Sequence, residues 1–364
     1  MNDLNIVNAK LILDKKSITV GVSIKKGLIA DVNRPGRLKP AKETLDAEGA
    51  YVIPSFTDTY NRLNSVEELI DHQRAYIRGG YTSTVVIIRS RDDQSLLSQI
   101  NFLDVIPVID LLFFDSNRAT SEYVYFKPTS LTELDKLRKY SKKITKIYLD
   151  LSDVIAERLA NERDAIEYIF HLLKFVNRIY IYPITVIQGV RAINRLRRKG
   201  IRVFCGSNVY NLIVHTKLAE KLPKDMLEGL RIRAFTHSRL LIKSLRGKSI
   251  NALGTSTSLK NNIASSSARV LYNLVYEEKI LIDDFIQALS IAPEMIFLER
   301  EKKIKVGEKA DLVLLKEGKF RVLDGLEDLS VPRGIFSGWD VRANIDAVIR
   351  RGKILYLRGE FLAT

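Results

Sequence analysis

Buried strands and amphipathic helices alternate through the middle of this 364-residue chain. Short apolar runs predict strands at Thr84–Ile88, Val105–Phe113, Ile147–Leu151, Ile179–Ile184 and Ile201–Cys205. Apolar residues at helical spacing predict helices between them, at Val66–Ile77, Leu131–Tyr140, Ala156–Val176 and Ile187–Lys199. Strands that alternate with helices of about 10–15 residues form parallel βα units. Because the region is about 250 residues long, we predict an α/β fold with a (β/α)8 TIM-like barrel over residues 53–300.

Both ends of the chain have a different pattern, in which apolar and polar residues alternate as in half-buried strands. The segments with this pattern or with a buried apolar run are Leu4–Leu13, Ser17–Ile24, Ala310–Leu315 and Ile345–Tyr356. The last of them reads as a hairpin that turns at Arg351-Gly352-Lys353. We therefore predict one small composite β-sandwich domain built from residues 1–52 and 301–364.

Composition narrows the class of protein. Hydrophobic residues make up 46% and charged residues 28% of the chain, which is ordinary for a globular protein. No apolar run approaches the roughly 18–20 residues of a membrane span, and no signal peptide is expected. The single Cys205 excludes an intrachain disulfide and favours a cytoplasmic protein. The net charge of +15 is spread along the chain among many acidic residues, so we expect a basic surface that suits an acidic partner and not a nucleic-acid site.

A motif at the predicted first barrel strand is the most specific signal in the chain. Residues 52–63 read Val-Ile-Pro-Ser-Phe-Thr-Asp-Thr-Tyr-Asn-Arg-Leu. This segment resembles the Pro-Gly-Phe-Ile-Asp-x-His-x-His motif of dihydroorotases and their hydantoinase-like relatives in the amidohydrolase superfamily. Further segments resemble the same family in the same order: Arg78–Val86, Ala292–Phe297, Ile304–Val313, Gly338–Asp340 and Ala347–Ile354. The resemblance covers nearly the whole chain and implies the barrel fold.

The resemblance also implies a set of site positions, and most of them hold unexpected residues. In the family, four histidines, a carboxylated lysine and an aspartate bind one or two divalent metals, zinc being the expected one. Asp58 keeps its family position. The metal-ligand positions correspond to Tyr60, Arg62, Lys127, Tyr148, Tyr182 or Pro183, and Ser256. The two substrate-contact positions of the family correspond to Asn64 and Arg89.

These replacements remove the expected metal chemistry. The guanidinium of Arg62 is permanently charged and has no lone pair to offer a cation. Without histidines beside it, Lys127 is expected to remain a plain lysine. We expect Arg62 and Lys127 to neutralise Asp58 or Asp150 instead. We therefore predict no metal, no cofactor and no catalytic residue.

Three functional hypotheses remain open. The first is an inactive dihydroorotase-like protein that acts as a structural or regulatory subunit in pyrimidine biosynthesis. It would act as an oligomer or together with aspartate carbamoyltransferase, which the resemblance implies as partner. The second is an active cyclic amidohydrolase with an atypical site. The third is a module that binds an anionic metabolite in a residual pocket formed by Arg62, Arg89 and His237.

Overall fold

The computed structural model describes residues 1–13, 16–63, 65–114, 122–130, 132–135, 137, 140, 143–154, 160–172, 176–326 and 333–362. In this part of the chain, no helix is both long enough and apolar enough to cross a membrane. The chain forms two sheets, one from its two ends and one from its middle.

The terminal sheet combines strands from both ends of the sequence. Its strands are β1 (Asn2–Leu13), β2 (Lys16–Lys25), β3 (Leu28–Asn33), β4 (Ala41–Asp46), β5 (Tyr51–Pro54), β14 (Leu312–Arg321), β15 (Asp340–Arg350), β16 (Lys353–Leu357) and β17 (Glu360–Phe361). The two halves meet where β5 pairs with β14 in antiparallel register. The predicted hairpin is confirmed, since β15 and β16 are joined at Arg351-Gly352, both with positive φ. The composite β domain is therefore confirmed.

The middle of the chain forms a barrel of parallel strands. They are β6 (Phe56–Asp58), β7 (Tyr81–Ile88), β8 (Asp104–Asp110), β9 (Tyr123–Phe126), β10 (Lys146–Asp150), β11 (Arg178–Tyr182), β12 (Val203–Asn208) and β13 (Ala252–Gly254). Backbone hydrogen bonds from Ser256 to Tyr60 (2.9 Å) and from Arg62 to Thr257 (2.7 Å) close the seam between the first and last strands. The predicted (β/α)8 architecture is confirmed.

Helices cover the outside of this barrel. In the described residues they are α1 (Val66–Arg78), α2 (Arg91–Leu96), α3 (Ala160–Leu172), α4 (Ile187–Arg198), α5 (Val209–Ile213), α6 (Thr216–Ala219), α7 (Phe235–Arg246), α8 (Ala264–Tyr276), α9 (Ile282–Ile286) and α10 (Ala292–Phe297). Ser65 begins α1, and its side chain accepts a hydrogen bond from the Glu68 N–H. The apolar faces of α1, α4 and α8 pack on strands that are buried on both sides, which explains the continuous apolar runs of the sequence.

One predicted barrel strand is too long, and the barrel strands β9 and β13 were not predicted. The strand predicted to reach Phe113 ends at Asp110, because the Asp110 carboxylate accepts the Leu112 N–H at 2.9 Å and the Phe113 N–H bonds the Asp110 carbonyl at 3.0 Å. A side chain that bonds its own backbone two residues on is typical of a turn. The short aromatic strand β9 lies before Lys127 and places that lysine at its end.

Candidate functional site

The carboxyl ends of the barrel strands form a narrow mouth. Six of the predicted site residues line a cavity of about 80 Å³ there, namely Tyr60, Arg62, Lys127, Tyr182, Pro183 and Ser256. Active sites of this barrel type lie at this end of the strands. A typical pocket for a small molecule is about 300–1,000 Å³, so this cavity has room for little more than a few waters.

Asp58 lies at the closing seam of the barrel and is fully buried. Its carboxylate accepts four hydrogen bonds: from the Thr255 N–H (2.8 Å) and hydroxyl (2.8 Å), the Tyr76 hydroxyl (3.0 Å) and the Tyr60 N–H (3.2 Å). Burial raises the pKa of Asp58 to about 6, and the Thr255 hydrogen bonds oppose that rise. The carboxylate thus ties the first strand to the segment that follows the last one.

A layer of tyrosines fills the barrel below the mouth. We call Tyr60, Tyr123, Tyr125, Tyr148, Tyr180 and Tyr182 the tyrosine layer; all are buried, and they pack with Phe297 of α10. The Tyr148 hydroxyl donates to the Thr59 carbonyl at 3.0 Å, and the Tyr180 hydroxyl donates to the Thr59 hydroxyl at 3.0 Å. The Tyr125 hydroxyl donates to the Asp150 carboxylate at 2.7 Å. Barrels of this type usually hold branched aliphatic residues in their interior, so this polar packing is unusual.

The phenol groups of this layer remain protonated. Burial raises the pKa of Tyr60, Tyr148 and Tyr182 well above the usual value near 10, because a phenolate would lose its hydration there. A neutral phenol is a poor ligand for a divalent cation. These tyrosines, at positions that the resemblance gives to histidines, therefore form a hydrogen-bonded part of the core.

The glycine in β12 shows how closely the layer is packed. A Cβ atom at Gly206 would lie 1.9 Å from the Tyr180 hydroxyl, which is far inside van der Waals contact. Glycine at this strand position therefore makes room for a tyrosine from the neighbouring strand. No sequence motif indicated this pairing.

Arg62 reaches across the mouth to the loop before α7. Its guanidinium donates to the Glu228 carbonyl at 3.0 Å. A Cβ at Gly229 would lie 2.0 Å from a guanidinium nitrogen, and Gly229 also has φ +71°, so the loop is shaped around this arginine. The expectation that Arg62 neutralises Asp58 or Asp150 is wrong, because its side chain bonds this backbone carbonyl at the rim.

Lys127 also turns away from the two buried aspartates. Its ammonium pairs with the Asp153 carboxylate at 3.2 Å, and both side chains are about two-fifths exposed, at 38% and 40%. Asp150 instead accepts the Tyr125 hydroxyl and the Ser152 N–H. The expected pairing of Lys127 with Asp58 or Asp150 is therefore wrong, because Asp153 lies nearer the solvent where a lysine remains hydrated.

Ser256 takes the place that the resemblance gives to an aspartate. It has φ +58°, and its hydroxyl donates to the Asn208 side-chain oxygen. The Tyr182 hydroxyl lies 3.0 Å from the same serine oxygen. Asn208 in turn donates to the Tyr210 hydroxyl at 3.0 Å. This chain of neutral groups contains no base that would take a proton from water.

The remaining predicted positions lie apart from the mouth cavity. Arg89 is exposed at the end of β7, where its N–H bonds the Asp93 carboxylate. His237 lies on α7, and burial lowers its pKa. Neither lines the mouth cavity that the described residues form, and Asn64 lies outside the described residues. Arg231, which sequence reasoning missed, lines this cavity with Arg62 and Lys127.

The donor set of the mouth does not fit a divalent metal. Hydrolytic zinc sites use histidine, carboxylate or thiolate donors with one open position. In the described part of the chain, no group of three or more histidine, cysteine, aspartate or glutamate side chains is placed to hold a metal. The groups at the mouth are neutral phenols, two serine hydroxyls, an amide, two guanidiniums, the Lys127 ammonium and one carboxylate, that of Asp153, which pairs with Lys127. A single carboxylate that already pairs with a cation does not make up such a donor set, and the cations beside it repel a metal ion.

Comparison with solved structures agrees with the fold. The L-hydantoinase (dihydropyrimidinase) from Arthrobacter aurescens superposes with a TM-score of 0.85 at 16% identity, over 100% of this chain and 98% of that chain. A D-hydantoinase gives 0.82 at 17% identity, over 100% and 96%. The dihydropyrimidinase from Brevibacillus agri gives 0.78 at 16% identity, over 100% and 96%. No protein-family model matches the sequence, and neither does any curated protein. The chain therefore shares the fold of the hydantoinase and dihydropyrimidinase structures.

Proposed function

We propose that this protein is a non-catalytic member of the hydantoinase-like fold class and that it acts through binding to other proteins. The observation that carries the proposal is the mouth of the barrel, where a hydrogen-bonded tyrosine layer and the Arg62 guanidinium lie. The resemblance gives several of these positions to metal ligands. Cyclic amide hydrolysis in this fold needs a metal that makes hydroxide from water near neutral pH.

Two further observations support the absence of hydrolysis. Asp58, the carboxylate that the resemblance expects at the site, is fully buried at the barrel seam, and four hydrogen-bond donors already occupy it. The cavity of about 80 Å³ is also far smaller than the roughly 300–1,000 Å³ of a typical small-molecule pocket. The same small volume disfavours a metabolite at the mouth.

The finer part of the proposal is a structural or regulatory subunit in pyrimidine biosynthesis. The resemblance to dihydroorotase-like chains motivates aspartate carbamoyltransferase as the partner to test first. The net charge of +15 supports an acidic partner surface, since complementary charge speeds and orients association.

An activity assay tests the first part of the proposal. The purified chain is incubated with dihydroorotate, dihydrouracil or hydantoin, with and without added zinc, manganese or cobalt, beside an active hydantoinase as positive control. We expect no turnover above the buffer blank. Metal-dependent turnover that disappears in Lys127→Ala would establish the atypical hydrolase instead.

Gel filtration tests the second part independently. The chain is run alone and with aspartate carbamoyltransferase from the same organism, at micromolar concentrations and at two ionic strengths. We expect a joint peak at low salt that weakens at high salt. Separate elution under both conditions would reject this partner while leaving the absence of hydrolysis untouched.

A further inference from the structure

A second and larger cavity lies on the outside of the barrel. Its volume is about 580 Å³, and it is lined by residues of α5, α7 and α8 together with Trp339. It shares no lining residue with the mouth cavity. We call it the lateral cavity. Its volume lies within the range of pockets that bind small molecules.

The floor of the lateral cavity is apolar and partly aromatic. Ile213, Ile242 and Val270 line it, and the Trp339 and Phe235 rings stand at its edge. Phe235 is 57% exposed, which is unusual for a large aromatic side chain. The apolar part of a ligand would be shielded from water on this floor.

Cations on one face of α7 form the rim. Arg239, Lys243 and Arg246 line the cavity at positions i, i+4 and i+7 of the helix, so their side chains lie on the same face. All three are exposed, and within the described residues none of them forms a salt bridge. On the opposite rim, Lys279 pairs with Glu277 at 2.5 Å. The α7 rim is thus a site of uncompensated positive charge.

Two buried polar groups at the floor have no partner. Ser238 is 2% exposed, and its hydroxyl makes no hydrogen bond. The Nδ1 atom of His215 is likewise buried without a partner, and its ring packs edge-on against Phe235 at 5.1 Å. Both residues line the cavity. A buried polar group without a partner destabilises the folded state, so a ligand that bonds these groups would remove that cost.

We propose that the lateral cavity binds a small amphipathic anion, with an apolar body on the floor and a phosphate or carboxylate group at the α7 rim. Paired cations recognise such groups through charge-assisted hydrogen bonds. The Ser238 hydroxyl and His215 Nδ1 then fix the orientation of the body. The site is independent of whether the barrel mouth is catalytic.

Trp339 makes the test specific, because it is the only tryptophan of the chain and lies at the cavity. The probe is anilinonaphthalene sulfonate, an aromatic anion, which is titrated into the full-length protein while Trp339 emission is recorded. The uncharged analogue phenylnaphthylamine is the matched ligand control. We expect saturable quenching of Trp339 by the anion and binding about tenfold weaker for the uncharged analogue.

Two double variants with the same change of net charge distinguish binding at the lateral cavity from nonspecific electrostatic attraction of the anion to the protein. In Arg239→Gln/Lys243→Gln we expect affinity for the anion to fall about tenfold, or 1.4 kcal/mol. In the control Arg191→Gln/Arg198→Gln, which changes exposed cations of α4, we expect little change. Equal losses in both would overturn the proposal, since net charge alone would then explain binding.

Further outcomes complete the test. Ser238→Leu fills the floor, so it should abolish quenching while circular dichroism stays native. The protein is then titrated with AMP, octyl phosphate and inorganic phosphate. Binding of either organic phosphate more tightly than inorganic phosphate supports the proposal. Which of the two organic phosphates binds more tightly shows whether the apolar part of the ligand is aromatic or aliphatic. Inorganic phosphate binding equally well would overturn it, because the floor would then contribute nothing. Trp339 emission that changes with protein concentration would also overturn it, because a second copy would then cover the cavity.

Discussion

Replacement of Asp58 by asparagine should lower the stability of the folded protein, and we expect no catalytic activity to be lost. The Asp58 carboxylate accepts two backbone N–H groups and two hydroxyls, and it is fully buried. In Asp58→Asn one oxygen still accepts the N–H groups of Thr255 and Tyr60. The new NH₂ group faces the hydroxyls of Thr255 and Tyr76, which must rotate and lose their acceptor.

The expected cost follows from these contacts. Two hydroxyls that lose a charged acceptor cost about 1–2 kcal/mol each, so we expect about 2–4 kcal/mol in total. An unfolding entropy of about 2.1 cal/mol/K per residue gives roughly 0.8 kcal/mol/K for a chain of this length. Asp58→Asn should therefore lower Tm by about 3–5 °C. Asp58→Ala should lower it further, because two buried N–H groups then lack an acceptor.

Differential scanning calorimetry at pH 7.5 measures both variants, with Asp225→Asn as the surface control. Asp225 is exposed, so we expect its substitution to leave Tm within error. An Asp58→Asn shift below about 1 °C would refute the structural reading of this carboxylate. A normal Tm combined with loss of a measurable hydrolase activity would assign Asp58 a catalytic role.

Three other predictions concern buried groups. Asp324→Asn should cost about 3–5 kcal/mol in urea unfolding, because Asp324 pairs with the buried guanidiniums of Arg78 (2.9 Å) and Arg269 (2.7 Å); an unchanged midpoint would contradict this. Burial raises the pKa of Glu162 from 4.5 to about 7, so its contribution to stability is complete below pH 4.5 and is lost as pH rises through 7. Glu162→Gln should remove about 3 kcal/mol of that pH dependence. If the free energy of unfolding of Glu162→Gln and of the unsubstituted protein changed with pH in parallel, this prediction would be wrong. The Cys205 thiol is buried with its pKa raised to about 11, so dithiodipyridine should react with it only after unfolding.

Much of the fold follows from the sequence, because hydrophobic periodicity reports burial directly. The strands at Tyr148 and Tyr180 and the hairpin at Arg351-Gly352 were predictable on that basis. The strand Tyr123–Phe126 was missed because it is only four residues long, three of them aromatic, and so short a run gives no clear period. The end of β8 was missed because the Asp110 side chain, and not the apolar pattern, sets the turn.

Part of the site could be predicted from the sequence. The resemblance assigned Tyr60, Tyr182 and Ser256 to one site, and the structure brings these three together at the mouth. Arg89 and His237, which were predicted to form a pocket with Arg62, do not line this cavity. The partners of Arg62 and Lys127 could not be foreseen, because they depend on loops distant in sequence. The lateral cavity has no motif, since helices far apart in the sequence create it.

Metal binding tests the central claim most directly. The purified chain is dialysed against excess zinc, separated from free metal by gel filtration in the presence of a weak chelator, and analysed by elemental mass spectrometry beside an active hydantoinase. We expect zinc far below one ion per chain, because the mouth presents protonated phenols and the Arg62 guanidinium, which offer a metal ion no suitable donor. One or more tightly held ions per chain, lost together with hydrolysis in Lys127→Ala, would contradict it.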